Sequence, residues 1–304
     1  MDLLMHISKL FILLISIFSC FVNAGSWEKR RSALEQVAVY KEFRIFYSLS
    51  GKDELPKRRR TDNNHNKVPD FIESIGKRLM DSNKFFKYEV GLKNPLKSKR
   101  YRGRAHYIDV NVLDFSNNKK GPKNGVAYDG TPKFNRSMVG KSSVNVLAMD
   151  ISGRVNLNSN TVEHELFHLY QNGYTYFKNR WYTEGTARWS ELIIKGRIGK
   201  GSKLPNTKVE KDKLFKKSYD ANSFWNELIL ITDKKNLGKS FIKYLLEELE
   251  RVDDIAARSR GINSVNWKES EQRSTKNNFY IWQAINSVSK RFPHSSEIKN
   301  LSLL

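Results

Sequence analysis

The chain has 304 residues, 39% of them hydrophobic, and a formal net charge of +22. That length and apolar content exclude a chain too polar to fold, and they allow one large domain or two small ones whose core needs no covalent staples. A single cysteine, Cys20, excludes a disulfide framework, and the charge favours anionic partners (acidic proteins, anionic glycans, lipid head groups or nucleic acid) in a salt-dependent way.

Met1 to Ala24 reads as a secretory signal. Leu10 to Val22 is an apolar run too short to span a bilayer comfortably, and Val-Asn-Ala follows as a small-residue cleavage site. The flanking charge is weak, with Lys9 offset by Asp2, so an uncleaved anchor stays open, and Cys20 fits a lipoprotein acceptor poorly. Cleavage after Ala24 leaves a chain without thiols, which suits a secreted or periplasmic bacterial enzyme.

A polar, helix-prone lead precedes Phe43 to Leu49 (FRIFYSL), whose aromatic and β-branched residues read as a strand. The basic runs Lys57 to Arg60 (KRRR) and Lys97 to Arg104 (KSKRYRGR) are the densest positive patches; Tyr101 can stack on a base, but no recognised nucleic-acid motif accompanies it. Genome composition would also account for the lysine richness. Between these patches, Asp62, Asn64, Asn66, Asp70 and Glu73, with the Val68 carbonyl, fall at the ligand positions of an EF-hand calcium loop. Lys67 stands where glycine normally makes the sharp turn; it must take a left-handed backbone or distort the loop, and its charge opposes the ion. Calcium is expected here on that condition. From Phe71 (FIESIGKRLMDS) the chain should be helical.

Tyr107 to Phe115 (YIDVNVLDF) alternates like a strand, and Val144 to Ile151 (VNVLAMDI) is a short apolar run, with Gly- and Asn-rich connections around Gly121 to Gly130. Val144 to Ile151 is placed beside the next helix, as the sheet edge that could pair with an extended substrate.

That helix is TVEHELFHLYQNG, Thr161 to Gly173. Ser159 or Asn160 can cap its start, Glu163 suits its first turn and Gly173 can close it, while Val162, Leu166, Leu169 and Tyr170 recur on one side. His164 and His168, four apart, share a face on which they can hold zinc, and Glu165 points beside the ion to take a proton from a bound water. Tyr174 and Gln171 occupy the places of the third histidine and the glycine of the extended metzincin pattern, so that subclass is excluded. The third ligand is expected from WYTEGTARWSEL: Thr183 or Glu184 opens a second helix, closed by Gly196, and Glu184 reaches the metal from the remaining side. Glu191, two turns along, is a competing ligand or a partner for one imidazole. Small Ala187 lets the helices approach, and Trp181 and Trp189 can pack around the ion. Three amphipathic helices follow, in SYDANSFWNELILI, LGKSFIKYLLEELERV and NNFYIWQAINSVSKRF.

FRIFYSLSG, DNNHNKVPDFIES, DVNVLDF, HELFHLYQNGY and WYTEGTARWSE, in this order over Phe43 to Glu191, resemble secreted bacterial metalloproteases of a myxobacterial type within the broader gluzincin-like group. The resemblance implies zinc on His164, His168 and Glu184, with Glu165 as base, and a loop at Asp62 to Asp70 in which Lys67 departs from the family's glycine; gluzincin-like mechanisms use a Tyr or His from the C-terminal region to steady the oxyanion, and Tyr219 is the candidate here. The expected fold is α+β: a zincin-like catalytic part over 25–196, with a mixed sheet and the active-site helix, then a helical subdomain over 197–304 that walls the cleft. The expected function is a zinc metallopeptidase acting on peptides or proteins. Its rivals are a basic wall-polymer or nucleic-acid binding protein with a structural or absent metal, and a catalytically silent scaffold.

Overall fold

The computed structural model describes residues 27–116, 123–134, 136, 144–292, 298, 300, 301 and 303. The expected export signal, Met1 to Ala24, lies outside them, as does Gly121. Among the described residues no helix is long and apolar enough to cross a membrane.

The architecture is α+β around a mixed five-stranded sheet in the order β1-β2-β3-β5-β4. The run expected at Phe43 forms β2 (Phe43–Tyr47). The lead before it, read as helix-prone, instead contributes β1 (Gln36–Tyr40) as well as a helix at 27–32. β1 and β2 pair antiparallel through a turn in which Lys41 takes φ 55°. β3 (Tyr107–Leu113) runs parallel to β2 and to β5 (Val146–Ser152), and β4 (Gly125–Ala127) closes the sheet antiparallel to β5. The strand proposed as the substrate edge is therefore interior. Every residue of β5 is buried, as a continuous apolar run in a strand covered on both faces should be; the edge belongs to the three half-buried residues of β4.

The alternation read in β3 is real, yet its polar face is not wet. Asp109 accepts hydrogen bonds from Arg44 Nε at 2.7 Å and Arg136 Nη1 at 2.6 Å, and Asn111 Nδ2 donates to Asp150 Oδ1 at 2.8 Å. From the helix at 27–32, Arg31 reaches Asp150 with three contacts of 2.7–3.0 Å. This side of the sheet is covered by paired charges, which is how buried ions are tolerated.

The other face carries the helices. α1 (Asp70–Lys84) packs on β1, β2 and α2 (Thr161–Tyr174), and α2 packs on β4, β5 and α3 (Arg180–Ile193). α4 (Lys208–Leu214), α5 (Asn222–Thr232), α6 (Lys239–Arg260), α7 (Glu269–Gln272) and α8 (Asn277–Ser289) follow; α5, α6 and α8 are the three expected amphipathic helices. One apolar cluster runs from Ala38 in β1 to Leu301 without a break, so the C-terminal helices share their core with the sheet and the HExxH helix.

Details of the helix ends differ from expectation. Asn160 occupies the cap position of α2 without a side-chain cap, while Ser159 Oγ bonds Asn156 O and Thr161 Oγ1. Gly173 lies inside α2, which ends at Tyr174, and its missing Cβ admits Ser98, whose Cβ would stand 3.1 Å from a methyl there. α3 starts at Arg180, before Thr183 and Glu184; Gly196, with φ +68°, follows its end.

Candidate metal centre

Helical period stacks His164 and His168 on one face of α2, and α3 packs against α2 so that Glu184 meets them. His164 Nε2 lies 3.1 Å from His168 Nε2 and 3.3 Å from Glu184 Oε2, and His168 Nε2 lies 3.5 Å from the same oxygen. Three ligand atoms at those separations, each about 2.05 Å from a common centre, subtend angles of about 98–117°. That brackets the tetrahedral angle, so the donor set fits zinc with a fourth position for solvent.

The opposite ring nitrogens are tied down. His164 Nδ1 bonds Glu191 Oε1 at 2.8 Å, and His168 Nδ1 bonds Gln171 Oε1 at 2.7 Å. Of the two roles open to Glu191, the structure places it behind the imidazole. Both rings can then carry their proton on Nδ1 and present a lone pair at Nε2, as a metal requires. Burial disfavours a charged His164, but hydrogen bonds to Glu184 and Glu191 outweigh it and push its pKa up to about 9. Glu184 shows the reverse balance: burial raises its pKa, and the two imidazoles hold the carboxyl far below its usual range.

Glu165 is buried on the same helix and lines the same cleft as His168 and Glu184. Burial pushes its carboxyl up, against the pull of His168 and His164, and the Ala127 backbone N–H donates to it. That contact joins the Glu165 carboxyl to edge strand β4. It needs Gly125: a Cβ there would stand 2.7 Å from Glu165 Cγ and 2.9 Å from Thr161 Cγ2. Tyr219, in a 3-10 turn at Tyr219–Ala221, reaches the centre from the third side. Its ring lies 5.8 Å from that of His164 and its hydroxyl bonds Glu184; burial, then Glu184 and Glu165, push its pKa up to about 12.

No protein-family model matches the chain, and no curated protein matches it.

Trp181 and Trp189 do not pack around the metal position. Trp181 stacks on Trp225 and donates to Asn278, Trp189 packs on Phe167 and donates to the Leu237 carbonyl, and neither lines the cleft. They seat α3 in the core and thereby fix Glu184. Ala187, fully buried, belongs to the same core.

The Asp62–Glu73 loop does adopt the left-handed turn. Lys67 takes φ 70° and its N–H donates to Asp62 Oδ2 at 2.8 Å; His65 takes φ 58°. Asn66 N–H donates to Asp62 and Asn64, and the Asn64 and Asn66 amides donate to Glu73. The Val68 N–H donates to Asn66 Oδ1 at 2.9 Å, and Asp70 accepts from Asn63. The structure thus gathers Asp62, Asn64, Asn66 and Glu73 in one exposed loop, with Asp70 engaged beside them.

Two features escaped the sequence. Gln171 was used only to exclude a subclass, although its spacing of three from His168 already put both on one face. The cations Arg100 and Lys178 and the acid Asp129 meet in the cleft from distant segments that no local pattern links.

Proposed function

We propose that the chain is an exported zinc metallopeptidase. The observation that carries the reading is the tetrahedral fit of His164 Nε2, His168 Nε2 and Glu184 Oε2 in a cleft that also holds the Glu165 carboxyl. A structural zinc needs neither a free acid nor an open position.

Bound zinc would supply a water shifted toward neutral pKa and a Lewis acid for the scissile carbonyl. His164, His168 and Glu184 hold the ion, and Glu191 and Gln171 orient the rings. Glu165 takes the water proton and returns it to the leaving amine; its raised pKa brings it closer to the working range of such a base. The Tyr219 hydroxyl, protonated across the physiological range, is a donor for the developing oxyanion. Among the described residues β4 is the last strand of the sheet, and an extended peptide can add along it as a further strand.

The test is direct. Glu165→Gln should retain zinc by elemental analysis and lose most cleavage of casein or a peptide library, while His168→Ala should lose the metal. Cleavage at the parent rate by zinc-bearing Glu165→Gln protein would end the reading. The +22 charge favours one other reading, a binder of anionic polymer; salt-sensitive binding with no chelator-sensitive hydrolysis would select it.

A further inference from the structure

One turn past His168, the floor of the cleft changes character. Arg100 donates to the backbone carbonyls of Asn172 and Thr175 at the end of α2, and to both oxygens of Asp129 at 2.9 Å. Lys178 Nζ bonds Asn172 Oδ1 and lies 3.3 Å from Asp129 Oδ2, and the Tyr101 hydroxyl donates to the same carboxylate. Two half-buried cations thus share one acid. Further out, Arg104 and Arg273 line the same cleft, and Glu269, bound to Arg273 at 2.9 Å, is the acid beside them. At this end of the cleft four cations therefore face two carboxylates, while Arg180 lies at the other end beside Glu184.

The donors are also incompletely used. Among the described residues Arg100 Nε and Trp267 Nε1 are buried without a hydrogen-bond partner, and their side chains are linked through Tyr176, which lies 3.5 Å beneath the Arg100 guanidinium and stacks on Trp267. Burial pulls the Lys178 pKa down to about 8 despite Asp129. An additional anion in the cleft would offset that burial.

Position sets the scale. Asp129 is two residues beyond Ala127, whose N–H holds Glu165, and at about 3.3 Å per residue an extended peptide along β4 reaches this floor within about two residues of the reacting bond. We propose that this end of the cleft is a carboxylate subsite, taking an Asp or Glu side chain or the free C-terminus of the peptide. The proposal rests on the peptidase reading for its orientation only.

Binding tests it without turnover. The zinc-loaded, full-length Glu165→Gln protein is titrated with end-blocked peptides differing only in Glu against Gln, and with neutral peptides differing only in a free against an amidated C-terminus. At least one carboxylate should bind about tenfold tighter than its neutral counterpart, and which one does so separates the side chain from the terminus. That advantage should collapse in the surface pair Arg104→Ala/Arg273→Ala and in Lys178→Met. It should persist in Lys57→Ala/Arg58→Ala, which removes the same charge as the first pair from a remote patch. Equal affinity within both peptide pairs, or an advantage that the cleft and remote variants weaken alike, overturns the subsite. Failure of the peptidase reading would show separately, as absent cleavage by the parent protein.

Discussion

The side-chain oxygen of Gln171 lies 2.7 Å from His168 Nδ1, and the amide nitrogen of Gln171 is occupied by the Thr183 carbonyl at 2.9 Å and Thr186 Oγ1 at 2.6 Å. Because both donors of the amide point into α3, its oxygen must face the ring, which fixes the proton on Nδ1 and leaves Nε2 for the metal. Gln171→Met should therefore weaken zinc binding about 10- to 100-fold with the fold retained. Chelator competition measures this; parent-like affinity would show that His168 is oriented by something else.

Tyr219 differs from the ligands in being half-exposed, with its hydroxyl directed at Glu184 rather than into the core. Tyr219→Phe should leave zinc content unchanged and lower kcat about 10²- to 10³-fold, with a smaller effect on KM. Unchanged kcat would make the residue a packing partner for His164 and nothing more.

Gly125 gives a prediction of the opposite kind, a change that adds atoms. A methyl group there would sit 2.7 Å from Glu165 Cγ and 3.0 Å from Glu165 Oε1, so either β4 or the base must move. Gly125→Ala should bind zinc normally and lose turnover, because misplacement of about 1 Å at a reacting group can cost roughly 10²-fold. Crystallographic or spectroscopic evidence of an undisturbed site with parent activity would mean that β4 gives way at no cost.

How much of this was legible depends on range. The paired imidazoles of α2 follow from a four-residue spacing, and their meeting with Glu184 follows from asking what a second helix could bring; both are local patterns. Val144 to Ile151 is not the sheet edge that the sequence suggests: its unbroken apolar character belongs to a strand covered on both faces. The true edge, Gly125–Ala127, is too short to show any period. Asp109 and Asn111 alternate visibly, but their cover, Arg44 and Arg136, comes from two separated segments, and Arg31, from a third, pairs with neighbouring Asp150. Trp181 and Trp189 were assigned to the metal because they flank Glu184 in sequence, whereas their rings pack into the core. Long-range pairing of polar groups leaves little trace in composition.

Asp253, on α6 beneath the cleft floor, supplies a pH test. It is buried, its Oδ2 accepts from the Tyr176 N–H at 3.0 Å, and burial pushes its pKa up to about 7 against that hydrogen bond. A carboxyl whose folded pKa exceeds its unfolded value near 3.9 holds more protons when folded, so its contribution to stability falls as pH rises between those two values. Above about pH 7 the folded protein carries a buried charge at a cost on the order of a few kcal/mol. Asp253→Asn keeps an acceptor for Tyr176 and removes the charge. The variant should unfold at a higher temperature than the parent at pH 8, and the gap should close toward pH 4, where the parent's carboxyl is already neutral. Melting curves across that range decide it: a gap constant with pH would show that the carboxyl titrates alike in the folded and unfolded chain, and a variant less stable than the parent at pH 8 that draws level on acidification would show Asp253 held ionised by Arg100.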